Sequence, residues 1–312
     1  MLSAVREQTE GARFLGRVVE GHLTSPLLLV GDEGTGRRFS VIEAAKDSFG
    51  DGDPESAHVL QIDEGVHPDL VVVSAGEKPI GVDTIRGVVD EASDFPAYVS
   101  SRFVIIDGVD RMTLPASDAL LKTLEDPPHT TRFFLLAQVY ENVLPTIRSR
   151  CGLVRYRPLS EAFIVEHLKE IEPDPAKALV YARISGGSVG RATQFQLSGR
   201  LALRNKMMTL LRVGLNGDFL SLFAAVEDLD VDLPLGLDFL DYILRDLVML
   251  PHSASNLTNL DVAEELVDLR QQIGGPRVDR LVDGLRHLRG RMRAKITLPF
   301  HVKTFLASAF TE

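Results

Sequence analysis

Cysteine is almost missing from this chain. Cys151 is the only one in 312 residues, which excludes an intrachain disulfide framework and any zinc site built from several thiolates. Long apolar runs are missing too, since none approaches the roughly 20 residues that cross a bilayer. The opening MLSAVREQTEGARF lacks the charged-then-apolar pattern of a secretory leader, so a cytoplasmic protein with no membrane partner is expected. Nor is there an excess of positive charge. The formal net charge of −10 argues against a chain that grips nucleic acid alone, because phosphate binding rests on Lys and Arg. A local basic patch within a larger assembly is compatible with that balance. What is present is an ordinary globular composition, 45% hydrophobic and 25% charged, and a length that fits two or three domains.

The most informative segment is Leu27 to Phe39, LLLVGDEGTGRRF. Its apolar start reads as a buried parallel strand feeding a turn. Three glycines follow: Gly31, Gly34 and Gly36. Gly31 and Gly36 keep the spacing of the phosphate-binding loop, G-x-x-x-x-G-K-[ST]. Arg37 stands where the lysine belongs, and Arg38 where the magnesium-holding hydroxyl belongs. Backbone N–H groups at a helix N-terminus make an anion site even without lysine. A glycine-rich strand-to-helix turn explains the loop equally well when it is taken alone. A guanidinium fork does not replace an ammonium, and Arg38 has no oxygen to offer a metal.

Strand and helix signals alternate up to about Arg157. Pro26–Val30, Val59–Ile62, Leu70–Val73, Phe103–Asp107, Phe133–Ala137 and Gly152–Tyr156 read as strands. Arg37–Lys46, Val82–Ala92, Pro115–Glu125 and Val143–Ser149 read as helices. That alternation marks an α/β layer with a parallel sheet. From Ser160 the strand signals stop. Glu161–Glu170, Pro175–Arg183 and a helix from Val189 form a small helical region, and Leu201 to Glu312 is helical in pattern throughout.

Four further groups carry candidate chemistry. Asp107 ends an apolar strand, where a magnesium-associated carboxylate belongs, but Gly108 follows in place of the glutamate that positions water. With two motifs damaged, the favoured role for Asp107 is to cap the strand and meet a nearby amide. Asp110 falls in the turn beyond it. Ser149-Arg150-Cys151 lies between a helix and a strand. An arginine exposed there has the reach for a phosphate on a neighbouring subunit, although an isolated arginine is more often plain surface. Cys151 has no adjacent base and reads as packing. Arg191, after Gly187-Ser188-Val189-Gly190, faces either a nucleotide or a helix neighbour, and spacing alone favours the neighbour. His67-Pro68-Asp69 reads as a turn shaping entry to a strand, not as a metal site.

Taken in order, these residues resemble the clamp-loader branch of the AAA+ proteins. The most specific piece is Ser117-Asp118-Ala119-Leu120-Leu121-Lys122-Thr123-Leu124-Glu125-Asp126-Pro127-Pro128, which is similar to the family's NALLKTLEEPP segment. Phe133 to Ala137 and then Leu144 to Cys151 continue the likeness, and His67-Pro68-Asp69 fits the bacterial version. The specific match covers roughly the first half. It departs at Asp118, where asparagine is usual, and at 51–66, which lacks the four-cysteine zinc module that bacterial relatives often carry, so no zinc is expected. Gln138 stands near the position from which relatives sense the γ-phosphate.

The resemblance implies a P-loop AAA+ domain at 1–157, a small helical lid at 158–200 and an all-α collar at 201–312 that packs in a ring. It implies a non-hydrolysing, stator-like subunit of the bacterial DNA polymerase III clamp loader. Such a subunit partners the motor ATPase subunits, the delta subunit, the sliding clamp and primed template DNA. Arg150 then becomes a trans arginine finger, with Ser149 and Cys151 completing its motif. Gly31, Gly34, Gly36, Arg37, Arg38, Asp107 and Arg191 mark a degenerate nucleotide site that needs no cofactor, or holds ATP or ADP uncleaved. Lys122 reads as a DNA contact or a solvated helix lysine. The rival expectations are an active or nucleotide-binding ATPase subunit of the same family and, more distantly, a DNA-binding adaptor outside replication.

Overall fold

The computed structural model describes residues 5–229, 232–253, 256–292 and 298–310. The chain divides into two compact units. One runs through Ser160 and also takes in Gly187–Gly190; the other holds Glu161–Gly186 and the chain from Arg191 onward.

The first unit is built on a parallel sheet of β1 (Leu27–Val30), β2 (Leu70–Ser74), β3 (Arg102–Asp107), β4 (Thr131–Ala137) and β5 (Gly152–Arg155), in the spatial order β2-β3-β4-β1-β5. In register, Leu28 lies between Leu135 and Leu153, and Asp107 between Ser74 and Leu136. Central strands of a parallel sheet are covered on both faces and so read as unbroken apolar runs. All four residues of β1 are buried, as are the first five of β3. One face is covered by α4 (Val82–Ser93) and α5 (Leu114–Glu125), with Ile85, Val88, Leu120 and Leu124 packing on Val104, Ile106, Phe133 and Leu135. The other is covered by α1 (Thr9–Val19) and α2 (Arg37–Phe49), with Leu15, Val41 and Phe49 packing on Phe103, Ile105 and Phe134.

Two elements differ from the expected pattern. Val59–Ile62 is not a strand but part of the helix α3 (Ala57–Asp63). Ser56 caps it by accepting the N–H of Val59, and Val59 and Ile62, three apart, are its buried pair. The helix expected at Val143–Ser149 contracts to the single turn α6 (Pro145–Arg148). The α1 helix was not foreseen. It matters because Gln8, just before it and buried, donates to the Thr35 and Arg157 carbonyls (3.0 and 2.7 Å) and accepts from Arg157 N (3.2 Å). That one amide fastens the glycine-rich loop to the chain leaving β5.

The second unit is all helical: α7 (Glu161–Leu168), α8 (Pro175–Ile184), most of α9 (Val189–Leu197), α10 (Leu201–Leu215), α11 (Phe219–Glu227), α12 (Leu233–Met249), α13 (Ala263–Ile273), α14 (Gly275–Met292) and α15 (Leu298–Phe310). Two buried polar contacts organise it. Arg204 of α10 pairs with Asp261 at 2.6 Å. Asp246 of α12 accepts from Thr258 N, Asn259 N and Asn259 Nδ2 at 2.7–2.8 Å, which fixes the turn before α13. Among the described residues no helix is long and apolar enough to cross a membrane.

Candidate functional site

The carboxyl ends of β1, β3 and β4 bring the glycine-rich loop, Asp107 and Gln138 to one edge of the sheet. Open α/β sheets place their ligand crevices at this edge. Gly31 N donates to Ala137 O at 3.2 Å, which seats the loop on β4. Gly36 stands before the first turn of α2 with φ 97°. Gly34 is needed for close approach: Val189 N donates to its carbonyl at 3.1 Å, and a Cβ there would lie 2.1 Å from Ser188 Oγ. Segment 187–190 therefore lies directly against the loop.

Arg37 turns inward and is only 7% exposed. Burial lowers the pKa of its guanidinium, while the carboxylates of Asp107, Asp110, Glu33 and Asp32 pull it back up. Its Nη1 is buried without a hydrogen-bond partner among the described residues. Asp107 shows the complementary behaviour. Burial raises its pKa, Arg37 and Arg38 hold it down, and Glu33 and Asp110 push it up again. Asp110 Oδ2 accepts the N–H groups of Gln138 (3.2 Å) and Val139 (2.9 Å). Arg38 donates to Ser74 Oγ at 3.2 Å, and Gln138 Nε2 to Glu33 Oε2 at 3.4 Å.

Gly108 is more than a missing glutamate. Its φ is 97°, its N–H donates to Leu136 O at 2.9 Å, and a Cβ would lie 2.7 Å from the Ala75 Cβ. The backbone here has settled into a left-handed conformation that side-chain-bearing residues adopt at a cost.

Arg150 follows α6 and is partly exposed. Its Nε donates to Glu125 Oε1 at 2.9 Å, and Nη2 reaches the same oxygen. Nη1 donates to Thr146 O at 2.8 Å and Ser149 Oγ at 3.3 Å. Burial pushes the Cys151 thiol up to about 12, which leaves no thiolate for chemistry near neutral pH. Arg191 falls in the second compact unit. Sequence reasoning missed Glu125, Glu33 and Gln8 as partners. Glu125 was legible only as part of a motif, and no spacing rule joins it to an arginine 25 residues on.

The His67-Pro68-Asp69 turn lies at the opposite end of the sheet, just before β2. Among the described residues no group of three or more His, Cys, Asp or Glu side chains is placed to hold an ion. Asp69 is fully buried and accepts from Ala97 N (2.7 Å) and Tyr98 N (2.8 Å), with Arg102 at 3.4 Å.

A family model described as DNA polymerase III, delta subunit, matches residues 8–160. DNA polymerase III subunit delta' of Escherichia coli (strain K12) is 30% identical over 232 residues, covering 73% of this chain and 69% of that protein. The Pseudomonas aeruginosa protein of the same name is 30% identical over 240 residues, covering 75% and 73%. Replication factor C subunit 4 of Homo sapiens is 26% identical over 266 residues, covering 81% and 70%. In fold, the chain is similar to a DNA polymerase III gamma subunit-related protein of Thermotoga maritima, with a TM-score of 0.51, 18% identity, and 96% and 98% of the two chains covered.

Proposed function

Because this chain belongs to the DNA polymerase III delta' family of clamp-loader proteins of DNA replication, we propose that it is the non-hydrolysing stator of its loader and completes a neighbour's ATP site with Arg150. Its partners in this reading are the motor ATPase subunits, the delta subunit, the sliding clamp and primed DNA, and its compartment is the cytoplasm. Segment 158–200 acts as the lid and 201–312 as the collar that packs in the ring. No cofactor is required.

The observation that carries the reading is Arg37. A working phosphate loop extends a lysine to the nucleotide; here the guanidinium is buried among its own chain's carboxylates. Arg38 brings no metal-binding oxygen, and Gly108 brings no base. A triphosphate entering this edge meets the carboxylates of Asp32, Glu33, Asp107 and Asp110, and the nearest guanidinium, Arg37, is already drawn in among them. Arg150, by contrast, sits at the surface between a helix and a strand, where a guanidinium can reach an adjoining subunit.

A finger supplied in trans stabilises charge on the transferred phosphoryl group and is worth about 10³–10⁵ in rate in other systems. Arg150→Ala in the reconstituted loader is expected to slow DNA-stimulated ATP turnover at the adjoining site while leaving assembly intact. Unchanged turnover would remove the finger role. The similarity to replication factor C subunit 4 favours a second reading, an ATPase subunit proper. Magnesium-dependent ATP cleavage by the purified chain alone distinguishes the two, and none above background is expected.

A further inference from the structure

The guanidinium of Arg150 is already occupied. Of its five N–H bonds, Nε–H and one on Nη2 go to Glu125 Oε1, and the two on Nη1 go to Thr146 O and Ser149 Oγ. One N–H on Nη2 remains. Arginine grips a phosphate most strongly through two parallel donors on one edge of its plane. Here the Nε/Nη2 edge is filled by a carboxylate, and the Nη1/Nη2 edge has a single donor to give. The pose cannot offer a two-point grip while Glu125 stays.

Glu125 is also placed against its own helix. It is the last residue of α5, where the unpaired carbonyls make negative charge unfavourable. Its side chain is 53% exposed and fills no part of the core. A carboxylate at that end needs a cationic partner, and Arg150 is the partner the structure gives it.

We infer that Glu125 is a positioning residue acting through Arg150: its carboxylate sits on the fork in the place of a phosphate oxygen, and Arg150 must exchange it for the neighbour's phosphate before the finger can act. This rests on the reading of Arg150 as a trans finger. Thr146 and Ser149 keep hold of Nη1 during the exchange, so the guanidinium pivots without leaving the surface. The pair is partly exposed, and measured pairs of that kind are weak, so Glu125 restrains the finger by roughly two- to five-fold and no more. That range suits a contact that a docked neighbour displaces.

The test compares reconstituted loaders carrying Glu125→Gln, Arg150→Ala, both changes, or Asp126→Asn as a control for loss of a nearby charge. ATP turnover is measured without DNA, across a range of ATP concentrations. The expected result is that Glu125→Gln raises kcat about two- to five-fold with KM unchanged. The gain should vanish when Arg150 is alanine and should not appear with Asp126→Asn. If Arg150→Ala slows turnover but Glu125→Gln leaves it unchanged or lowers it, the inference falls and the finger stands. A gain that persists in the double variant, or that Asp126→Asn reproduces, also overturns it as a general charge effect. If Arg150→Ala is itself without effect, the finger reading falls first. Thermal melting of the purified Glu125→Gln chain separates a folding defect from any of these outcomes.

Discussion

The two ends of the sheet treat buried charge in opposite ways. At the amino end, Asp69 accepts two backbone N–H groups and faces Arg102, whose Nη1 and Nη2 also donate to the Glu91, Asp94 and Phe95 carbonyls. At the carboxyl end, Arg37 Nη1 and Asp110 Oδ1 are buried without a hydrogen-bond partner among the described residues, as Arg102 Nε is at the amino end, and what acts on the Asp107 charge is burial and the neighbouring charges. The pKa directions agree with that contrast. Burial works against the Asp69 charge, but the Ala97 and Tyr98 amides and Arg102 more than offset it, so its pKa is lowered. For Asp107 burial prevails over Arg37 and Arg38, and its pKa is raised. The amino end is therefore a brace, and the carboxyl end, on the function proposed above, is a nucleotide site without its working groups.

The largest effect expected from this contrast is at Asp69. Asp69→Asn keeps the shape but loses the charge that Arg102 needs and turns one acceptor into a donor facing a backbone N–H. It should cost about 3 kcal/mol, in the range for breaking a buried ion pair. The pH dependence sharpens the comparison. Because the folded pKa lies below the ordinary 3.8, Asp69 contributes stability that is full above 3.8 and lost as pH falls through the folded value. Denaturant titrations across the acid range should show a steep limb in the native chain and a shallower one in Asp69→Asn. Equal limbs would mean that the amino end is no brace.

Gly108→Glu comes next. It places a carboxylate directly after the strand-ending Asp107, but the backbone sits at φ 97° and the new Cβ meets Ala75. A destabilisation of about 1–3 kcal/mol is expected from forcing a side chain into that region. Combined with Arg37→Lys and Arg38→Thr, it should still yield no ATP turnover by the lone chain, because the strand-to-turn backbone no longer presents the acid. Turnover in the triple variant, measured by phosphate release, would show that the loss is reversible side-chain chemistry and not a changed backbone.

How much of this could be read in the residues follows from how local each signal is. Strands β1, β3 and β4 were legible because burial on both faces leaves uninterrupted apolar runs such as FVIID and FFLLA. Val59–Ile62 misled because a short apolar run does not separate strand from helix; the Ser56 cap three residues earlier was the usable signal. The glycine loop and the Ser149-Arg150-Cys151 motif were visible as contiguous patterns. Their partners were not. Gln8 reaches Arg157 across 149 residues and Glu33 reaches Gln138 across 105, contacts that only the parallel sheet creates. The left-handed backbone at Gly108 was hidden for another reason: glycine there reads equally as a lost side chain or as a required turn.

Asp107→Asn gives the smallest effect, and its sign is the finest test of the comparison. With its folded pKa above the ordinary 3.8, Asp107 ionises more readily in the unfolded chain. Its contribution is therefore most favourable at low pH and is lost as pH rises through 3.8 to the folded value. At neutral pH the neutral amide escapes the burial cost of the carboxylate but gives up its attraction to Arg37 and Arg38. Burial is the larger of these, so a gain below about 1 kcal/mol is expected, with no difference at strongly acid pH. The same substitution type thus destabilises at one end of the sheet and stabilises slightly at the other. A loss of stability at neutral pH in Asp107→Asn would show that this carboxylate holds Arg37 in place, and that the carboxyl end is braced like the amino end.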